Sequence, residues 1–120
     1  TGNSAAGSTT GGGAIFTNNA TSTFITNTII WANTADGIQG TSSNTNVTYN
    51  ILQDAPLGPG GTNVAVEPLI DAGNYPCLQS GSPAINTATA VPAGVPSDDY
   101  FKNPRPYGAG YDKGACEWRP

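Results

Sequence analysis

The chain of 120 residues contains no histidine and no methionine, and only four basic residues: Lys102, Arg105, Lys113 and Arg119. Without an imidazole, a serine-hydrolase triad, a histidine-ligated zinc site and histidine-based proton transfer are all excluded. Eight acidic residues bring the net charge to −4. That balance repels a phosphate backbone and leaves few contacts able to release counterions, so no nucleic-acid partner is expected. No apolar run approaches the ~18 residues that a spanning helix needs, and no basic segment followed by a hydrophobic stretch marks a signal peptide. The chain reads as a mature protein or as a piece of something longer. Neither a cofactor nor a metal is expected.

Charged residues make up only 10% of the chain and apolar residues 37%. Scarce charge can accompany disorder, but here the apolar residues are gathered into β-branched and aromatic clusters, Phe24-Ile25 and Ile29-Ile30-Trp31. The composition therefore points to a folded β protein of one domain with one slender core. Two cysteines, Cys77 and Cys116, stand in a background of Thr, Asn, Ser and Gly that suits an oxidising, extracellular compartment. A disulfide between them is one reading, and a pair of buried free thiols is the other.

Composition divides the chain into residues 1–13, a small-residue arm or linker; 14–75, a strand-rich part; and 76–120, a loop-rich closing segment. Residues 1–13 carry no large side chain and cannot form a core strand unaided. All ten prolines lie between Pro56 and Pro120, so none interrupts the preceding strand-like stretch. Within that stretch an internal repeat appears at an offset of about 22 residues, a period in the range that marks repeat architectures. It sets Phe16 over Ile38, Thr23 over Thr45, Ile25 over Val47, Thr26 over Thr48, Ile29 over Ile51 and Ile30 over Leu52. Such a period, with short strands between Asn, Gly and Ser corners, predicts one rung of a parallel β-helix, in which equivalent positions stack into ladders. Asn18, Asn19, Asn33, Gly37, Gly40 and Asn44 are the expected corner residues, able to adopt left-handed backbone angles. An antiparallel sandwich with chance self-similarity is the competing fold.

Four ordered motifs carry a family resemblance: Asn27-Thr28-Ile29-Ile30-Trp31-Ala32-Asn33, Glu67-Pro68-Leu69-Ile70, Ser82-Pro83-Ala84-Ile85-Asn86, and the closing run from Arg105 to Glu117. Together they resemble the C-terminal end of secreted right-handed parallel β-helix proteins of the pectate-lyase-like superfamily, of the type whose ends are called choice-of-anchor Q domains. Glu67 and Asn86 each stand where that pattern has Asp, and Cys116 stands where it has an aromatic residue. The resemblance implies an all-β fold: a short right-handed parallel β-helix of two to three rungs, followed by a Pro-rich C-terminal cap. It also implies an extracellular or cell-surface setting but no defined reaction, because this fold hosts lyases, hydrolases, adhesins and fibres alike. In the family the closing run packs back on the last coils, so Arg105, Asp112 and Glu117 are expected to be structural residues of the cap.

The residues themselves give catalysis little to work with. A polysaccharide lyase needs clustered carboxylates for a cation and an Arg or Lys base, and the rungs hold only Asp36 and Asp54 as charged residues. Asp98 and Asp99 are sequence neighbours that point to opposite sides of an extended chain, which suits a solvated acidic turn better than an acid/base pair or a calcium loop. Trp31 is expected to pack rather than to face solvent. Tyr100, Phe101, Tyr107 and Tyr111 are close together and bracketed by proline, which makes them the candidate exposed patch for a ligand or partner, a polysaccharide among them. Asn19 and Asn46 head Asn-X-Thr sequons that could accept glycans.

A parallel β-helix has two raw ends whose strand edges template further pairing. The stretch before Ala14 has no amphipathic element to cover Ala14, Ile15 and Phe16, so these three mark the expected assembly edge. The expected function is a non-catalytic extracellular structural protein whose copies add head to tail into a filament or surface fibre. The alternative is the C-terminal fragment of a secreted carbohydrate-active or carbohydrate-binding β-helix protein.

Overall fold

The computed structural model describes residues 13–18, 22–33, 37–40, 45–54, 62–90 and 95–120. Residues 1–12 of the expected arm, the sequon at Asn19 and the corner at Asn44 lie outside them. Six short strands, and no helix, form among the described residues: β1 (Ile15–Thr17), β2 (Thr23–Thr26), β3 (Ile29–Ile30), β4 (Ile38–Gly40), β5 (Thr45–Thr48) and β6 (Ile51–Leu52). They pair in parallel as β1 with β4, β2 with β5 and β3 with β6, so the protein is all-β and two successive three-strand passes of chain are stacked.

Alternation along each strand explains the core. Ile25 pairs with Val47 and Ile30 with Leu52, and all four side chains are buried in one cluster with Ile38, against which Ile15 packs. Each fully buried aliphatic side chain of this kind contributes about 1.5–3 kcal/mol. In the first strand the repeat is set one residue differently from the sequence expectation. Ile15, not Phe16, pairs with Ile38, an offset of 23 rather than 22 residues. A one-residue shift exchanges the two faces of a strand. It turns Ile15 into the core and leaves Phe16 51% exposed.

Of the expected corner residues that are described, Asn18, Asn33 and Gly37 lie between strands and Gly40 lies within β4, and none of the four is left-handed. The left-handed residues between the second and third strands of each pass are Asn27 (φ 55°) and Tyr49 (φ 58°), which occupy equivalent positions. Gly37 is required for closeness, since a Cβ there would lie 2.6 Å from Ile30 Cγ2. Its amide donates to Asp54 Oδ2 at 2.7 Å, so this rung carboxylate ties one pass to the next.

A ladder of polar side chains runs up the corner after Asn27 and Tyr49. Asn50 Oδ1 accepts from the Thr28 amide (2.8 Å) while its Nδ2 donates to Ile25 O (2.8 Å). One layer on, Asn63 repeats both contacts: its Oδ1 accepts from the Asn50 amide (2.9 Å) and its Nδ2 donates to Val47 O (2.6 Å). Val64 then bridges Ile51 in parallel, which begins a third layer at this corner.

The closing segment packs against the outward face of β3 and β6. Ile29 of the first pass and Ile51 of the second turn outward and join Trp31, Ile70, Leu78, Ala84, Ile85 and Trp118 in a second apolar cluster. The packing of Trp31 there agrees with expectation. The segment begins before the anticipated boundary at 75/76: Ile70 bridges Leu78 antiparallel, and Asp71 N donates to Cys77 O at 2.8 Å across that point. A disulfide joins Cys77 to Cys116, which ties this hairpin to the end of the chain.

Candidate functional site

Three carboxylates organise the closing segment, and each is almost fully buried: Asp99 (5% exposed), Asp112 (1%) and Glu117 (3%). The tight spacing of Asp99 and Asn103 lets one aspartate close a turn. Asp99 Oδ1 accepts from the amides of Phe101 and Asn103, both at 2.9 Å, and Oδ2 accepts from Asn103 Nδ2 and the Glu117 amide, both at 3.2 Å. Asp99 is thus a buried staple, which corrects the expectation of a solvated acidic turn. Asp98 alone fits that expectation, half-exposed and paired with Lys102 at 3.5 Å. Burial pushes the Asp99 carboxyl up, but the donors led by Asn103 outweigh it and hold its pKa below the ordinary aspartate value.

Arg105, Asp112 and Glu117, the expected structural residues of the cap, are brought together. Arg105 Nε donates to Glu117 Oε1 and Arg105 Nη2 to Asp112 O, both at 2.7 Å. Glu117 also accepts from the Asp112 and Tyr107 amides, at 3.1 and 2.9 Å. Asp112 accepts from the amides of Asn86 (2.7 Å) and Trp118 (2.5 Å). Its pKa is raised, first by burial and further by the neighbouring Glu117 charge. Every oxygen of the three carboxylates accepts at least one hydrogen bond from within the chain, so the cluster binds loop backbone together. Next to it Lys113 is 4% exposed, and burial lowers its pKa below the usual lysine value. Among the described residues no group of three or more Cys, Asp or Glu is placed to hold a metal ion.

Asn27 ties this assembly to the first pass. Its side chain clasps the backbone of Thr89 in both directions, Nδ2 to Thr89 O (2.8 Å) and Thr89 N to Oδ1 (2.9 Å), and its carbonyl accepts from the Gly114 amide (2.8 Å). Sequence reasoning placed Asn27 only within a motif. Its signal is the left-handed corner position, where Asn is favoured over other side chains.

The four aromatic residues anticipated as one patch separate. Tyr100 and Phe101 meet edge to face with ring centroids 5.0 Å apart. Tyr107 lies instead under the Arg119 guanidinium, 4.2 Å from the ring centre, and Tyr111 is half-buried. Tyr100 takes a different partner in space: with Phe24 it lines an open groove of about 610 Å³ between the outer face of β2 and the closing segment, together with Thr26, Pro96, Asp98 and Arg105. At the expected assembly edge Ala14 and Phe16 are exposed and Ile15 is half-buried. Each of β1, β2 and β3 has one strand partner among the described residues, so the opposite backbone edge of each is unpaired there. Comparison with protein-family models, curated proteins and solved structures finds no match to this chain, so the resemblance to pectate-lyase-like β-helix proteins rests on its sequence motifs alone.

Proposed function

We propose that the chain is a non-catalytic extracellular structural unit, a short right-handed parallel β-helix whose first-pass strand edge accepts a further layer from another copy, end to end. The observation that carries this reading is the strand pairing: each of β1, β2 and β3 has one strand partner among the described residues, while the closing segment packs on the outward-facing Ile29 and Ile51 of both passes. An unpaired edge of parallel strands presents alternate N–H and C=O groups to a partner. The passes already repeat at 22 to 23 residues, so a copy stacked in the same register extends the existing ladders. The buried disulfide and the scarcity of charge suit an oxidising exterior and close lateral packing.

Proline substitution at the edge tests the assembly. The Ile15 amide donates to Gly37 O at 3.0 Å, so alternation turns the Phe16 amide toward the unpaired edge. Phe16→Pro removes that donor without removing a β1–β4 hydrogen bond. Electron microscopy and light scattering are expected to show filaments or larger assemblies for the wild type, and a loss of them for Phe16→Pro at unchanged far-ultraviolet circular dichroism. Wild-type monomers at every protein, salt and calcium concentration tried would refute the proposal.

A further inference from the structure

From the groove beside β2 we infer a binding site for an uncharged polysaccharide, with Phe24 and Tyr100 as its two stacking surfaces. Of the large hydrophobic side chains exposed among the described residues, these two are the most exposed, Phe24 at 68% and Tyr100 at 65%, and both line the same groove. Neither is a loose surface residue. Phe24 is held on β2 by its pairing with Asn46 in β5. Tyr100 is fixed by its amide donating to Ala115 O (2.8 Å) and by the adjacent Asp99 staple. Aromatic faces held on rigid backbone bind with little ordering cost, which is the condition for an effective anchor.

The polar lining selects the class of ligand. Arg105 reaches the groove, but its guanidinium is engaged by Glu117 and Asp112 O, which leaves no free cation there to attract an acid. Asp98 contributes a half-exposed carboxylate whose charge is offset by Lys102 at 3.5 Å, and the chain as a whole carries −4. A polyuronate therefore finds no net positive charge to hold it there. A neutral sugar chain offers apolar ring faces to Phe24 and Tyr100 and hydroxyls to Asp98 and Thr26. The groove lies on an outward face of the stack rather than on its strand edge, so occupancy is compatible with end-to-end assembly and independent of it.

The test is affinity electrophoresis and titration calorimetry with xyloglucan, hydroxyethylcellulose and laminarin as uncharged probes and polygalacturonate as the acidic one. At least one uncharged polymer is expected to bind saturably, with polygalacturonate at least tenfold weaker. Phe24→Ala and Tyr100→Ala should each weaken binding roughly tenfold, as the loss of an aromatic anchor does. Tyr107→Ala, outside the groove, should leave it unchanged. Urea unfolding of each variant separates lost binding from lost folding; both groove side chains are largely exposed, so native stability is expected. Failure of all three uncharged polymers, polygalacturonate binding as tightly as they do, or equal affinity in the folded Phe24 and Tyr100 variants would each overturn the inference.

Discussion

Asn50 provides the sharpest test of the ladder that joins the stacked passes. Its side chain is fully buried and makes three hydrogen bonds, to Thr28 N, Ile25 O and Asn63 Oδ1. Asn50→Ala leaves two backbone groups of the first pass without partners, one of them in a fully buried bond. An orphaned buried group costs about 1–3 kcal/mol, so the two together predict a loss of about 2–6 kcal/mol. Asn50→Asp keeps the acceptor for Thr28 N but turns a carboxylate toward the two acceptors Ile25 O and Asn63 Oδ1. It should therefore destabilise more than Asn50→Ala near neutral pH, and the difference should shrink as the introduced acid is protonated. Urea unfolding gives the stabilities. Amide exchange gives the location: in Asn50→Ala the Thr28 amide should lose protection while the Asn50 amide, held by Asn63 Oδ1 at 2.9 Å, keeps it. A loss under about 1 kcal/mol, below the cost of one orphaned group, or equal exchange at both amides, would refute the ladder as the joint between passes.

Replacing Cys77 and Cys116 with alanine opens a loop of sequence separation 39 and should cost about 4 kcal/mol by loop entropy, read as a lower urea midpoint. Arg105→Met strands the Glu117 carboxylate, whose side chain is 0% exposed, and should cost about 3–5 kcal/mol. Arg105→Lys should recover only part of this, because an ammonium cannot reproduce the fork that reaches both Glu117 and Asp112 O; full recovery would show that charge alone matters. Asp99 has a lowered pKa in the folded state, so its contribution is complete above the unfolded value of about 3.9 and fades as pH falls through the folded one. Asp112 acts in the opposite sense: with a raised pKa, it lowers stability as pH rises from the unfolded value through the folded one. The stability gap between wild type and Asp99→Asn should accordingly narrow on acidification, and a gap constant from pH 7 to the acid limit would contradict the staple. Lys113→Met replaces an ammonium that burial disfavours with an apolar chain of similar length, and thermal unfolding should show equal or greater stability.

The stacked passes were legible because identical spacing puts like on like: Thr23 over Thr45, Ile25 over Val47 and Ile30 over Leu52. The first strand was misplaced by one residue because Ile15 and Phe16 are both large and apolar, and only the face each one presents separates them. The closing segment was harder to read. Three of the four short motifs marked it, and Arg105, Asp112 and Glu117 stood out as charges in a chain with few. The role of Asp99 depends on donors at Phe101, Asn103 and Glu117, the last 18 residues away, and nothing in the Asp98-Asp99 dipeptide signals which of the two is buried. The groove was invisible for the same reason, since Phe24 and Tyr100 lie in separate parts of the chain that meet only when the segment folds back along the stack.

The distribution of the few charges bears on how the strand edges are used. Proteins that keep a β edge from pairing place lysine, proline or an inward charge on it. The six strands, IFT, TFIT, II, IQG, TNVT and IL, contain none of these. All four basic residues and all ten prolines lie outside them. Among the basic residues, Arg105 locks the buried carboxylates, Lys102 pairs with Asp98, and Arg119 covers Tyr107 while its Nη2 donates to Pro104 O at 2.9 Å. The basic residues that could guard an edge thus lie in the closing segment, where Arg105 and Lys102 pair with carboxylates. Within the described strands β1, β2 and β3 carry none of these guards, which is the arrangement the proposed end-to-end assembly requires.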